Sequence, residues 1–186
     1  MALAVSTFAP ASASADWLFT PFLGGTFGGS ANITDVGGDF KNEFNRKLSY
    51  GASLGYLGHG VTGFEIDFGY SPNFFGEESQ FGSNNVLTLV GNLVLGIPLG
   101  GSSGFGFRPY GTVGLGLIRS KVDILEPEVS SNEFGINAGG GIFLFFGDHV
   151  GMRGDLRYFR AGFDNLDIFD VEKVDFWRWS IGVTFR

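Results

Sequence analysis

The residues best suited to acid–base or ionic chemistry fall in two tight groups: Glu65 and Asp67, one residue apart, and the alternating run Arg153, Asp155 and Arg157. Paired carboxylates serve either general acid–base catalysis or ion pairing with nearby guanidiniums. A spacing of two puts each group on one side of an extended strand. With arginines and carboxylates both confined to such faces, ion pairing is the reading we take. Nothing completes an active constellation. His59 and His149 fall in segments that read as short turns, away from the carboxylates of the longer loops. No serine sits in the strand-to-helix turn that a nucleophile elbow needs. Gly104-Phe105-Gly106 and Gly114-Leu115-Gly116 have no helix N-terminus behind them to cradle a phosphate. Cysteine is absent, which removes disulfides, thiolate metal sites and a cysteine nucleophile. We therefore expect no catalytic residue, no cofactor and no metal site.

The elements that position these charges alternate with period two. Across Thr62 to Tyr70, Phe64, Ile66, Phe68 and Tyr70 share one face, while Gly63, Glu65, Asp67 and Gly69 share the other. Leu48 to Tyr56, Gly151 to Tyr158 and Trp177 to Phe185 behave in the same way. Trp17 to Phe27, Val86 to Ile97, Arg108 to Ile118 and Glu133 to Phe146 alternate less sharply; Phe143 and Phe145 fall on the polar face of the last. Eight strands of roughly ten residues match the length a tilted strand needs to cross a bilayer. The longest apolar tract, Val86 to Leu99, is interrupted by Thr88, Gly91, Asn92, Gly96 and Pro98, so it does not read as a membrane helix. Connections alternate: Gly28 to Arg46, Ser71 to Asn84, Arg119 to Asn132 and Ala161 to Lys173 are long. Leu57 to Val61 and Gly147 to His149 are short, and Pro98 to Phe107 is intermediate. The expected fold is all-β: an eight-stranded antiparallel transmembrane β-barrel in up-and-down meander order.

Composition decides which face is wet. Of 186 residues, 32 are glycine and 22 phenylalanine; hydrophobic residues reach 44% and aromatics 16%, too many for a disordered glycine-rich chain. The polar faces carry glycine, serine and threonine rather than abundant lysine and glutamate, which suits the crowded inside of a narrow barrel. The apolar faces place Trp17, Phe19, Tyr56, Tyr70, Tyr158, Trp177, Trp179 and Phe185 near strand ends, as interfacial aromatic girdles require. Lys47, Glu65, Asp67, Arg108, Glu133, Arg153, Asp155, Arg157 and Arg178 then point inward, and their near-balanced charge is expected to form an ionic network in a packed polar core. Such a lumen disfavours diffusive porin activity. A soluble, lipocalin-like barrel would need apolar inward faces, against these charges.

The net charge of −7 leaves no basic stripe for nucleic acid. The long loops are acidic, with Asp35, Asp39, Glu43, Glu77, Glu78, Asp123, Glu126, Glu128, Asp164, Asp167, Asp170 and Glu172. That charge serves either a solvated, self-repelling surface or a cation or basic partner. At the start, residues 1–15 are weakly apolar and end in the small-residue tract Ala11-Ser-Ala-Ser-Ala15, the cleavage half of a secretory signal without its positive region. We read residues 1–15 as a signal-peptide remnant or tail, and residues 16–186 as one barrel domain.

Three passages carry a resemblance: Phe134-Gly-Ile-Asn-Ala-Gly-Gly-Gly-Ile142, Asp148-His-Val-Gly-Met-Arg-Gly-Asp-Leu-Arg-Tyr-Phe159 and the final Trp179-Ser-Ile-Gly-Val-Thr-Phe185. Together they resemble the bacterial outer-membrane β-barrels of the OmpA and OmpX type and the opacity-like surface proteins, over Asp16 to Arg186. The last passage is similar to the terminal signal read by the barrel-assembly machinery, except that Arg186 follows the aromatic. The resemblance implies bacterial outer-membrane insertion, with outer-membrane lipid and the assembly machinery as partners; the loops leave room for an extracellular partner. It does not imply one activity: members are anchors, adhesins, stress proteins or lipid-modifying enzymes. A non-enzymatic structural or surface-interaction role is the leading expectation, and a lipid-modifying barrel enzyme the alternative.

Overall fold

Alternating sequences of this kind can bury their polar face only by closing on themselves. The computed structural model, which describes residues 15–28, 47–58, 61–72, 84–99, 105–122, 129–161 and 175–186, is such a closed sheet. Its strands are β1 (Ala15–Phe27), β2 (Lys47–Gly58), β3 (Thr62–Pro72), β4 (Asn84–Gly96), β5 (Phe105–Val122), β6 (Val129–Phe146), β7 (Val150–Ala161) and β8 (Asp175–Phe185). Each pairs antiparallel with the next, and β8 returns to β1. One rim carries the β2–β3, β4–β5 and β6–β7 connections; the other carries β1–β2, β3–β4, β5–β6 and β7–β8, the three longest among them.

Register sets the size of the lumen. Following cross-strand partners from Trp17 through Tyr56, Phe64, Leu93, Val113, Ala138, Tyr158 and Trp177 leads back to β1 at Phe27, ten positions from the start. That shift on eight strands corresponds to a tilt of about 40° and a backbone radius of about 8 Å. Side chains fill a space of that width. The closing seam skips a step: β1–β8 partners run from Phe19↔Phe185 to Phe22↔Gly182, and Pro21 between them has no N–H to donate. Inside this gap the Thr20 and Thr184 hydroxyls meet at 2.9 Å.

The alternation sorts polar from apolar as the sequence pattern predicts. Phe64 and Ile66 are 68% and 58% exposed, whereas Glu65 and Asp67 between them are 4% and 1% exposed. Apolar faces therefore point outward, which rules out the soluble lipocalin-like arrangement.

Two expectations need correction. The stretch Arg119 to Asn132 is mostly strand, not loop: β5 and β6 stay paired from Arg119↔Asn132 up to Val122↔Val129. Beyond the apolar wall the hydrophobic contrast fades, but the ladder continues through main-chain hydrogen bonds that do not depend on it. The interior is also not polar throughout. Leu18, Leu57, Val94, Tyr110, Phe143 and Phe145 form a buried apolar layer toward the short-turn rim. Val86, Val90, Ile118, Phe159, Ala161 and Phe176 form another toward the long-loop rim. The inward Phe143 and Phe145 thus belong to the lumen. His59, residues 1–14 and all twelve acidic loop residues named above lie outside the described residues.

Candidate functional site

Between the two apolar layers lies the polar middle of the lumen. β7 supplies Arg153, Asp155 and Arg157 from one wall; β3 supplies Glu65 and Asp67 from the wall opposite, four strands away round the closed sheet. Arg157 spans the gap. Its Nη2 lies 2.7 Å from Glu65 Oε1 and 2.9 Å from Asp155 Oδ2, and its Nε 2.7 Å from Asp155 Oδ1. Its Nη1 stands 3.7 Å from Asp67 Oδ2. Arg153 pairs with Glu65 Oε2 through Nη1, which also donates to Ser53 Oγ at 2.9 Å; its Nη2 reaches Asp155 Oδ2 at 3.1 Å. Arg178 on β8 takes Asp67 Oδ1 at 2.7 Å. Three guanidiniums thus meet three carboxylates.

Neutral groups add further hydrogen bonds, although Arg157 Nη1, Arg178 Nε and Asn137 Oδ1 are buried without a hydrogen-bond partner among the described residues. Tyr110 Oη donates to Asp155 Oδ2 and accepts from Arg153 Nε at 2.6 Å. Asn92 donates to Glu65 Oε1 at 3.2 Å and accepts from Asn137 at 2.8 Å. Aromatic faces cover the cations: Arg153 lies 4.9 Å from the centroids of both Tyr110 and Phe143, and Arg178 4.8 Å from Phe22 and 4.9 Å from Phe159. Glycine makes room for these groups. A Cβ on Gly69 would overlap the Arg178 guanidinium and the Thr88 hydroxyl, and one on Gly141 would come within 2.6 Å of Tyr110 Oη.

Three further charges on the inward parity sit elsewhere. Arg108 is buried at the short-turn rim, beyond the Tyr110–Phe143 layer. It lies over the Phe145 ring at 5.3 Å, in the electrostatic reach of Asp16 and Arg186. Lys47 and Glu133 stand at the opposite rim, where their cross-strand partners are Thr26 and Ile118, and each is engaged by a neighbour. Parity assigned these nine residues a face, but height along the barrel axis decides which of them meet. Tyr110, Asn92, Ser53 and Asn137 were legible by the same parity, since each shares a face with an inward glycine, serine or threonine. Asp16 and Arg186 also share the inward parity; they pair at 2.5 Å and tie β1 to β8 at the short-turn end of their seam.

This centre occupies the middle of the lumen. Every carboxylate oxygen of Glu65, Asp67 and Asp155 has a guanidinium nitrogen within 3.7 Å. The groups are sealed above and below by apolar side chains.

The outer wall carries the aromatics in two levels. Trp17 packs edge-on against Tyr56 at 5.3 Å, and Phe19 stacks with Phe185 at 6.5 Å, near the short-turn rim. Toward the other rim Tyr158 meets Trp177 at 5.2 Å and Tyr70 meets Tyr50 at 5.5 Å, with Trp179 exposed nearby. Phe27, against Trp177, and the pair Phe105–Phe146 extend these levels beyond the eight aromatics named from the sequence. Trp17 and Phe27 lie ten positions apart on one tilted strand, so the levels stand about 25 Å apart along the axis. That is the height of a lipid-facing band.

The family described as outer membrane protein beta-barrel domain matches residues 1–186. The chain belongs to that family. Its rim of short turns is therefore periplasmic and its rim of longer loops extracellular, and its place is the bacterial outer membrane. Neisserial surface protein A superposes on this outer-membrane barrel with a TM-score of 0.68 at 15% identity, covering 92% of this chain and 98% of that one. The N-terminal β-barrel domain of Pseudomonas aeruginosa OprF gives 0.56 at 16% identity, covering 91% and 95%. Ail, the attachment invasion locus protein of Yersinia pestis, gives 0.55 at 12%, covering 92% and 97%. At these identities the likeness is one of fold. None of the curated proteins compared with the barrel matches it.

Proposed function

We propose that this barrel is a rigid, non-catalytic scaffold in the outer membrane, whose extracellular loops carry a structural or surface-interaction role. One observation carries the reading: the lumen is braced by an ionic network spanning opposite walls and packed with apolar side chains on both sides of it. Such an interior supports a fixed platform rather than a passage. Chemistry on lipid would need reactive groups on the outer wall. Ser49, Ser53, Ser71 and Ser180 instead face the lumen, and His149 lies in the periplasmic turn. Likeness in fold to a surface protein and to an attachment protein agrees with an adhesin-like role without establishing it. The assembly machinery, reading the β8 sequence, and a basic or cationic extracellular partner for the acidic loops belong to the same proposal.

Replacing residues 162–173 by a short turn tests it. Cells displaying the intact barrel should adhere or aggregate more than cells without it. The variant should lose that gain while keeping the heat-dependent gel shift of a folded barrel. Adhesion that is unchanged by the replacement would contradict the loop role.

A further inference from the structure

Inward arginines in this barrel are matched to carboxylates, with one exception among the described residues. Arg153, Arg157 and Arg178 share Glu65, Asp67 and Asp155, and Arg186 holds Asp16. Arg108 on β5 has none. No ion pair among the described residues involves it, and its Nη1 is buried without a hydrogen-bond partner. The residue is only 8% exposed. A guanidinium taken out of water without an acceptor is costly, so the position calls for an explanation.

Its surroundings define what is missing. Arg108 lies over the Phe145 ring at 5.3 Å, and Arg186 lies over the same ring at 5.4 Å. An aromatic face attracts a cation but does not replace acceptors for its N–H donors. Asp16 is within electrostatic reach of Arg108, yet its bond goes to Arg186. Asp148, in the β6–β7 turn, is exposed and engaged by another neighbour. The periplasmic mouth of the lumen thus sets two guanidiniums against one bonded carboxylate, an excess of one positive charge. One monoanion balances it, and a planar carboxylate matches the guanidinium fork through paired N–H donors. A phosphate dianion would overshoot. Lipid does not supply the anion here: Arg108 faces the lumen, and the outer wall at this rim presents Phe105, Phe146 and Phe185.

We propose that Arg108 anchors a carboxylate-binding site at the periplasmic mouth of the barrel, with Arg186 adding its charge across the shared Phe145 ring. The ligand is a carboxylate from the periplasm, free or at the end of a peptide. Asp16 restrains the site, because its bond to Arg186 withholds part of that guanidinium from the ligand. The barrel thereby gains a contact on the side opposite its loops.

The test uses the whole chain, isotope-labelled at arginine and refolded in dodecyl maltoside micelles. It is titrated at constant ionic strength with acetate, N-acetyl-dialanine, the amide of that dipeptide or inorganic phosphate. Magnetic resonance of the guanidinium Nε–H groups reads binding at Arg108 and Arg186. Both carboxylates should shift the Arg108 signal saturably, and the amide should not. Tighter binding of the dipeptide than of acetate supports a peptide end as the source, and equal binding supports a free acid. Asp16→Asn should tighten carboxylate binding by about tenfold, the factor that one charge-assisted contact supplies. Arg108→Gln should abolish the response at Arg186 and keep the heat-dependent gel shift, and Arg108→Lys should weaken binding by about tenfold. No saturable shift, or one that the amide or the Arg108→Gln variant reproduces, would overturn the site. Tighter binding of phosphate than of either carboxylate would overturn the ligand class.

Discussion

Arg157 and Glu65 meet across the barrel from opposite walls, Nη2 to Oε1 at 2.7 Å, and through them β7 is tied to β3 without any shared backbone ladder. A buried pair of this kind is a poor source of net stability but a strong constraint: removal of one partner leaves the other charged and desolvated. Arg157→Met should therefore destabilise the folded barrel by about 3–5 kcal/mol, with Glu65→Gln similar. The double variant should lose much less than the sum of the two. Urea titration of the gel-shifted form measures all three; additive losses would show that the pair is not coupled.

The seam closes on a second pair. Arg186 bonds Asp16 at 2.5 Å, lies over Phe145 at 5.4 Å and donates its backbone N–H to the His149 carbonyl at 2.9 Å. The residue that departs from the terminal aromatic pattern thus has a structural task beside the Pro21 interruption of the β1–β8 ladder. Arg186→Gln should lower stability by about 1–2 kcal/mol, the range for a charged hydrogen bond near a surface. The swap Asp16→Arg/Arg186→Asp should recover part of the loss. Failure of the swap to exceed either single variant would remove the pair from the account.

Glycines differ by what lies over them. Gly141→Val would set a Cβ into the Gly154 carbonyl oxygen and 2.6 Å from the Tyr110 hydroxyl, and should cost about 1–3 kcal/mol by overpacking. Gly154, on the lipid side, has open space where a Cβ would go, and Gly154→Ala should be close to neutral. Refolding yield and urea midpoint of the two variants make the comparison. A Gly154→Ala loss as large as that at Gly141 would contradict the packing described.

Phe143 closes the periplasmic layer and covers Arg153. Phe143→Ala should destabilise by about 3–5 kcal/mol through the cavity it leaves. A midpoint within experimental error of wild type would show that the layer is not packed.

How much of this was readable depends on contrast. β3 was plain in the sequence because its two faces differ in kind, Phe64 and Ile66 against Glu65 and Asp67. The end of β6 was not. There Ile142 and Leu144 meet lipid while Phe143 and Phe145 fill the lumen plug, so both faces are apolar and period two vanishes. The upper reach of β5 was lost for the opposite reason: beyond the bilayer, Arg119, Ser120 and Lys121 are all polar. At the centre, the spacing of Arg153, Asp155 and Arg157 gave their common face directly. Their meeting with Glu65, and the separation of Arg108, Lys47 and Glu133 from them, follow from cross-strand register, which no local pattern encodes.

Current across a planar bilayer holding the refolded wild-type barrel tests the central claim most directly. With opposite walls braced by Arg157 and Glu65 between two apolar layers, the membrane should stay at baseline current under applied voltage after insertion is confirmed. Steady open-channel steps would mean that ions pass the network, and would contradict a sealed lumen.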